Sequence, residues 1–152
     1  METAVYILIL LIIVEYDLRQ GRIPNLIVFG GLAVTLMLRL LAGVPTFQSS
    51  VLGAIVGGVF LAVLRWLGHY LFKRDALGWG DVKLGILLGA MVGVKAVLWV
   101  LALGILLAGI VALILLLAKR VERTATLPYG VFLAIAGMAV LLLQFFGVIN
   151  LV

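Results

Sequence analysis

The acid–base chemistry available to this chain centres on two aspartates, Asp17 in VEYDLRQGRIPN and Asp81 in GWGDVKL. Each lies where a long apolar run meets a short polar connection. Ionisable groups in such places are costly unless they are paired or functional. Two carboxylates that lie close together cannot both ionise readily, so they share a proton, and one acts as a base while the other acts as an acid. A pair of this kind activates water against an amide bond.

The remaining acidic residues have simpler explanations. Glu15 stands four residues before Arg19, which is the favourable order for an ion pair on a helix. Asp17 has no such partner, and the last turn of a helix disfavours a carboxylate. Asp81 has a structural alternative, because it is well placed to be the N-cap of the helix that follows. The other acids are Glu2, predicted on the outer face, and Asp75 and Glu122, which stand beside bases in polar loops.

The composition of the chain is that of a membrane protein. Of its 152 residues 66% are hydrophobic and 11% are charged, which is too apolar for a soluble domain with a polar surface. We expect an all-α bundle forming one transmembrane domain over residues 1–152. Residues 1–14 lack a basic leading region and a small-residue cleavage site, so we expect the first helix to be retained.

Apolar runs of about 20 residues define the predicted membrane spans. The run from 82 to 118 is too long for one span and is interrupted by Gly93 and Lys95. We divide it into a full span and a short segment, which is compatible with a half-helix buried against the others. The six predicted transmembrane segments are approximately 3–18, 26–44, 51–72, 82–93, 95–118 and 128–149.

The basic residues predict the orientation of these six segments. Most of the 11 lysines and arginines fall in or beside the first, third and fifth connections. That side is cytoplasmic by the positive-inside rule, so both termini are expected outside. Asp17 and Asp81 then lie at the same cytoplasmic depth and can meet across the bundle. Within the spans, we expect Arg39 to extend outward and Arg65 to find a partner or water inside the bundle.

The helix ends predict different starting roles for the two aspartates. The C-terminal end of the first helix favours a protonated Asp17, whereas the N-terminal end of the fourth helix favours an ionised Asp81. Asp81 would therefore begin as the base and Asp17 as the acid.

Glycines at spacings of four predict close helix packing. Gly53 and Gly57 share a face of the third segment, and Gly85 and Gly89 share a face of the fourth. Small residues at this spacing let the backbones of membrane helices approach one another.

Several classes of site and partner are excluded by composition. The chain has no cysteine and a single histidine, His69, so it can form neither a thiolate metal site nor a histidine cluster, and we expect no metal and no cofactor. The net charge of +5 comes from short basic clusters between apolar runs, which is typical of a cytoplasmic membrane face. We therefore expect the lipid bilayer as a partner and no nucleic acid.

Three stretches together resemble a known family. DLRQGRIPN at 17–25 and GWGDVKL at 78–84 resemble the type IV prepilin peptidases, which are membrane aspartyl proteases whose second aspartate lies in a GxGD motif, and LPYGVFLAIAG at 127–137 is similar to their third signature. The resemblance covers nearly the whole chain. It implies that Asp17 and Asp81 are the catalytic pair. It also implies removal of a short basic leader, usually after glycine, from a prepilin or pseudopilin at the cytoplasmic face of the cell membrane.

The chain departs from the family pattern in two places. Gly130, Val131 and Phe132 stand where the family often carries Gly-Pro-Phe. Longer members also have a cytoplasmic insertion with paired cysteines, associated with methylation of the new N-terminal amine. Because the first cytoplasmic loop is short here, we expect a peptidase without methyltransferase activity, similar to the members linked to tight-adherence pili or archaeal preflagellins.

Seven further residues are candidates for binding the substrate or shaping the site. Gly78 and Gly80 let the backbone approach the substrate and aim Asp81, or they simply end a loop. Lys83 contacts the site or anchors the inner membrane face. The other four either begin helices or shape the site entrance: Pro24, Asn25, Pro128 and Gly130.

Two other functions use the same carboxylates. A small proton-coupled transporter would need Asp17 and Asp81 near the middle of the bilayer, whereas both are predicted at cytoplasmic helix ends. A pilus-assembly scaffold would leave the unfavourable position of Asp17 without a reason.

Overall fold

The computed structural model describes residues 2–73, 77–118 and 128–148. These ranges contain six α-helices and no strand: α1 (Glu2–Gln20), α2 (Asn25–Leu41), α3 (Val44–Phe72), α4 (Trp79–Val92), α5 (Val94–Leu117) and α6 (Tyr129–Phe145). The predictions about Asp75 and Glu122, about the bases at 74, 119, 120 and 123, and about Leu127 concern positions outside the described residues.

The helices follow the predicted segments closely, with the largest difference at the start of α3. This helix begins at Val44, well before the predicted position 51. Gly43 ends the preceding connection with a φ of 119°, and the Thr46 hydroxyl donates a 2.6 Å hydrogen bond back to the Gly43 carbonyl. The first turns of α3 contain polar side chains, so hydropathy alone does not detect the start of this helix.

Among the residues that the structure describes, two helices are long and apolar enough to cross a membrane. They are the stretches Val44–Leu71 and Val94–Leu117. Along α5, large apolar side chains such as Leu106, Leu113 and Leu117 are exposed. Extended apolar surface of this kind is rare on soluble monomers, so it indicates a membrane protein.

The short helix α4 lies at the centre of the bundle. It has 14 residues and packs against α2, α3, α5 and α6, with both faces largely buried. A helix of this size is about 21 Å long, which is shorter than the bilayer core of about 30 Å. The interpretation of this segment as a short helix buried against the others is confirmed.

The glycine faces of α3 and α4 pack against each other. Gly53 lies against Gly89, and Gly57 lies against Gly85, so closely that a Cβ on any of the four would overlap the backbone of the opposite helix. The packing prediction is confirmed, and the structure adds that these two faces are partners.

Three other helices satisfy the buried C-terminal end of α4. Ser50 of α3 donates to the carbonyl of residue 90 at 2.6 Å, Arg39 of α2 donates to that of residue 91, and Gln144 of α6 donates to that of residue 92 at 3.2 Å. The last carbonyls of a helix have no partner within it, so a buried end needs donors from elsewhere. We call these three donors the α4 clamp. The prediction that Arg39 extends outward is wrong, because the buried carbonyl recruits its guanidinium.

Candidate active site

Asp17 lies in the last turn of α1 with only 6% of its surface exposed. Its Oδ2 accepts a 3.1 Å hydrogen bond from the backbone N–H of Val131, in the first turn of α6. A carboxylate at the unfavourable end of its own helix is thus held by the favourable end of another. Both aspartates therefore lie near the N-terminal end of a helix, so the helix ends distinguish their charge states less than the sequence suggested. The assignment of Asp81 as the base and Asp17 as the acid stays a prediction.

Asp81 is the third residue of α4. The helix begins at Trp79, and Gly78 occupies the N-cap position that the sequence had indicated for Asp81. The Oδ2 atom of Asp81 accepts a 3.0 Å hydrogen bond from the Gly78 N–H, as the third residue of a capping box does. The prediction that Asp81 is the N-cap is therefore wrong by three positions. Asp81 instead lies inside the helix, and its side chain accepts a hydrogen bond from the N-cap residue Gly78. This capping interaction uses only one of the two carboxylate oxygens, Oδ2.

Both carboxylates approach Gly130, the second residue of α6. A Cβ placed on Gly130 would lie 2.8 Å from Asp17 Oδ2 and 3.3 Å from Asp81 Oδ1. The separation of these two oxygens therefore cannot exceed the sum of those distances. Gly130 lets the α6 backbone approach both carboxylates, which any larger residue would obstruct.

Ile23 is a neighbour of this pair that the sequence did not single out. It lies in the connection between α1 and α2, and its Cδ1 is 2.8 Å from the Cβ position of Gly130. On its other side, the Cβ of Ile23 is 3.3 Å from the Cβ position of Gly80. The side chain therefore packs between two glycines beside both carboxylates. The sequence feature that could have singled out Ile23 is its apolar side chain within the mostly polar stretch DLRQGRIPN.

A cavity of about 800 Å³ opens beside the two aspartates, at the end of the bundle where α1 ends and where α2, α4 and α6 begin. Its volume is within the range of about 300–1,000 Å³ that is usual for ligand pockets. The lining residues are Asp17, Leu18, Gly21, Arg22, Ile23, Asn25, Arg65, Leu77, Gly78, Trp79, Gly80, Asp81, Pro128 and Tyr129.

The predicted site residues divide into those that line this cavity and those that lie behind it. Asn25 belongs to the lining, and the Lys83 ammonium donates a 2.8 Å hydrogen bond to its Oδ1 from outside. Lys83 therefore connects the start of α4 to the start of α2. Pro128 precedes α6 and lines the cavity, whereas Pro24 precedes α2 and is absent from the lining.

Arg65 of α3 contributes a positive charge to the cavity wall. Its guanidinium donates to the Leu77 carbonyl and lies 5.0 Å from the centroid of the Trp79 ring. It is also close enough to Asp81 for electrostatic attraction. The prediction that Arg65 finds a partner inside the bundle is confirmed. Within the described ranges, no group of three His, Cys, Asp or Glu residues is placed to hold a metal ion.

A family model described as the type IV leader peptidase family matches residues 4–113. The chain belongs to this family. The matched range includes both aspartates and the GWGD stretch, whereas Pro128 and Gly130 lie beyond it.

Several curated proteins named prepilin leader peptidase/N-methyltransferase match this chain over most of its length. It is 32% identical over 126 residues to the prepilin leader peptidase/N-methyltransferase of Aeromonas hydrophila, covering 83% of this chain and 43% of the relative. It is 32% identical over 131 residues to the protein of that name from Burkholderia pseudomallei (strain K96243), covering 86% and 41%. The chain thus spans less than half the length of these relatives. No solved structure matches it.

Proposed function

We propose that this chain is an aspartic endopeptidase that removes the short basic leader from prepilins or pseudopilins. Family membership and the names of the relatives support the substrate class. The observation that carries the proposal is the approach of Asp17 Oδ2 and Asp81 Oδ1 to the same residue, Gly130, beside a cavity of about 800 Å³.

The reaction that fits this arrangement is hydrolysis of one peptide bond. The ionised carboxylate takes a proton from water, and the water oxygen attacks the carbonyl carbon while the protonated carboxyl hydrogen-bonds to the carbonyl oxygen. The C–N bond then breaks as the amide nitrogen receives a proton from the pair. The pair has taken one proton from water and given one to nitrogen, so it again holds one shared proton, and the products are a leader with a new carboxyl group and a pilin with a new amine.

The backbone contacts support a water-activating role for these two residues. Asp17 is fixed by the Val131 N–H and Asp81 by the Gly78 N–H. Each contact orients a carboxylate while leaving acceptor capacity for a water molecule, since an ionised carboxylate accepts several hydrogen bonds. Catalytic groups held in this way need little rearrangement during the reaction.

The membrane arrangement that we propose has six spans from one domain, residues 1–152, with both termini outside. The cavity end carries Arg19, Arg22 and Lys83, which favours the cytoplasmic face of the cell membrane. A substrate with a basic leader and an apolar helix would put its helix in the bilayer and its cleavage site at this end.

The proposal includes neither a cofactor nor methyltransferase activity. The connection between α1 and α2 consists of residues 21–24 and contains no cysteine-containing insertion. The methyltransferase part of the relatives' names is therefore not carried over to this chain.

The test is cleavage of a co-expressed candidate prepilin in membranes that contain the wild type, Asp17→Asn or Asp81→Asn. Asparagine can still accept the backbone hydrogen bond but cannot exchange a proton, so we expect a loss of at least about 1,000-fold from either change. Gel mobility and N-terminal sequencing of the product provide the readout.

Glu15→Gln is the matched control, because Glu15 lies in the same helix and forms an exposed ion pair with Arg19 at 3.0 Å. This variant should cleave like the wild type. If either aspartate variant also cleaves normally, that carboxylate is structural, and the transporter and scaffold hypotheses return.

A further inference from the structure

Ile23 occupies the space next to the reacting atoms of the proposed peptidase. Its Cδ1 is 2.8 Å from the Cβ position of Gly130, the same point that both aspartate oxygens approach. On the other side, a Cβ placed on Gly80 would lie 3.3 Å from the Cβ of Ile23. Glycines on both sides thus allow an isoleucine to pack directly against the aspartate pair.

A scissile peptide bond must bring its carbonyl carbon close to both aspartates, on the cavity side of Gly130. On the acyl side of that bond, the substrate Cβ is two bonds from the carbonyl carbon, whereas on the amine side it is three bonds away. The acyl-side residue therefore carries the side chain that comes closest to the aspartates. It competes with Ile23 for space.

We propose that Ile23 is a specificity-determining residue that limits the side chain preceding the cut to a small one. This inference rests on the proposed function and deepens it. A long side chain at that substrate position would have to displace Ile23 from between Gly80 and Gly130. Small residues avoid this displacement.

Hydrogen bonds on either side hold the connection between α1 and α2 that carries Ile23. Asn25, two residues after Ile23, is the first residue of α2 and accepts the hydrogen bond from Lys83 of α4. At the other end of the connection, the Gly21 N–H donates a 2.9 Å hydrogen bond to the Asp17 carbonyl. The connection is therefore held by a hydrogen bond on each side of Ile23.

The experiment measures selectivity, which loss of folded protein would not change. Purified enzyme is given peptides with a basic leader, one variable residue and an apolar helix, in detergent, with Gly, Ala, Val or Leu before the cut. The enzymes are the wild type, Ile23→Val, Ile23→Ala and the matched control Ile27→Ala, which shortens a partly buried isoleucine of α2 outside the cavity lining.

We expect the wild type to prefer Gly over Val, and Ile23→Ala to reduce that preference by at least about 10-fold, since one methylene in a pocket changes discrimination by about 10–200-fold. Ile23→Val should give an intermediate preference, and Ile27→Ala should keep that of the wild type. An unchanged preference in both Ile23 variants overturns the inference while the proposed function stands. A wild type that cuts none of the peptides overturns both.

Discussion

The two ends of α4 are built in opposite ways. At the N-terminal end, Asp81 bonds to Gly78 of its own segment and faces a cavity of about 800 Å³. At the C-terminal end, the α4 clamp supplies donors from three different helices to carbonyls that are buried in the bundle. One end opens onto the cavity, and the other is fixed by three neighbouring helices. We call these the open end and the locked end.

This difference shows how a helix shorter than the bilayer can position a reactive group. Because α4 is held at its C-terminal end and by the glycine contacts with α3, the position of its N-terminal turn is set from within the bundle. That turn can present Asp81 to the cavity without losing its position. Changes at the open end should therefore reduce activity, and changes at the locked end should reduce stability.

The largest effect on activity, after replacement of the aspartates themselves, is expected for Gly130→Ala. The added Cβ would meet Asp17 Oδ2 at 2.8 Å and Asp81 Oδ1 at 3.3 Å, so the carboxylates must separate. A displacement of about 1 Å costs about 100-fold in rate, and we expect at least that loss in the prepilin cleavage assay.

Gly30→Ala is the control for this change, because a Cβ on Gly30 meets nothing within 4 Å. Alanine is favoured over glycine in a helix by about 1 kcal/mol, so neither protein should unfold much more easily than the wild type. Full activity of Gly130→Ala would mean that the aspartates do not work together at this glycine.

The largest effect on stability is expected for Gly89→Ala, near the locked end. Its Cβ would overlap the α3 backbone at Gly53, which is unable to rotate away as a side chain would. Overpacking costs about 1–3 kcal/mol and occasionally more, and we expect the upper part of this range. The thermal unfolding midpoint in detergent should fall clearly, whereas Gly109→Ala, with open space around it, should unfold like the wild type. An unchanged midpoint for Gly89→Ala would contradict the close contact of α3 and α4.

A smaller loss of stability is expected for Arg39→Met. This change removes the donor to the Met91 carbonyl and leaves a buried acceptor without that hydrogen bond, at a cost of about 1–3 kcal/mol. Cleavage per folded molecule should stay near the wild-type rate. If Arg39→Met instead lost activity while its unfolding midpoint stayed unchanged, the locked end would be part of the catalytic machinery, and the contrast between the two ends would fail.

The sequence predicted the helices and the approach of the aspartates better than it predicted the contacts around them. Hydropathy located six segments, and the alternation of inside and outside ends put Asp17 and Asp81 at one depth. These are properties of long stretches and of helix order. They do not depend on the rotation of any helix about its axis.

Other features needed contacts between residues that are distant in the chain. Arg39 was expected to extend outward, since nothing in α2 reveals that a carbonyl of α4 ends close by. Ile23 was passed over because its importance comes from Gly80 and Gly130 together. The register of Asp81 was missed by one helical turn, because Gly78 and Asp81 are both acceptable N-caps, and local sequence does not choose between them.

The smallest effect is expected for the contact that connects the open end to its surroundings, the hydrogen bond between Lys83 Nζ and Asn25 Oδ1. The bond is exposed, so water replaces much of it when it is removed, and Lys83→Met should cost less than about 1 kcal/mol of stability. Asn25→Ala should cost a similar amount. If the two residues act through this bond alone, the double variant should lose no more than the larger single change, as thermal unfolding of the four proteins would show. Additive losses would mean that Lys83 and Asn25 stabilise the open end independently, and that this end has more anchors than the hydrogen bonds reveal.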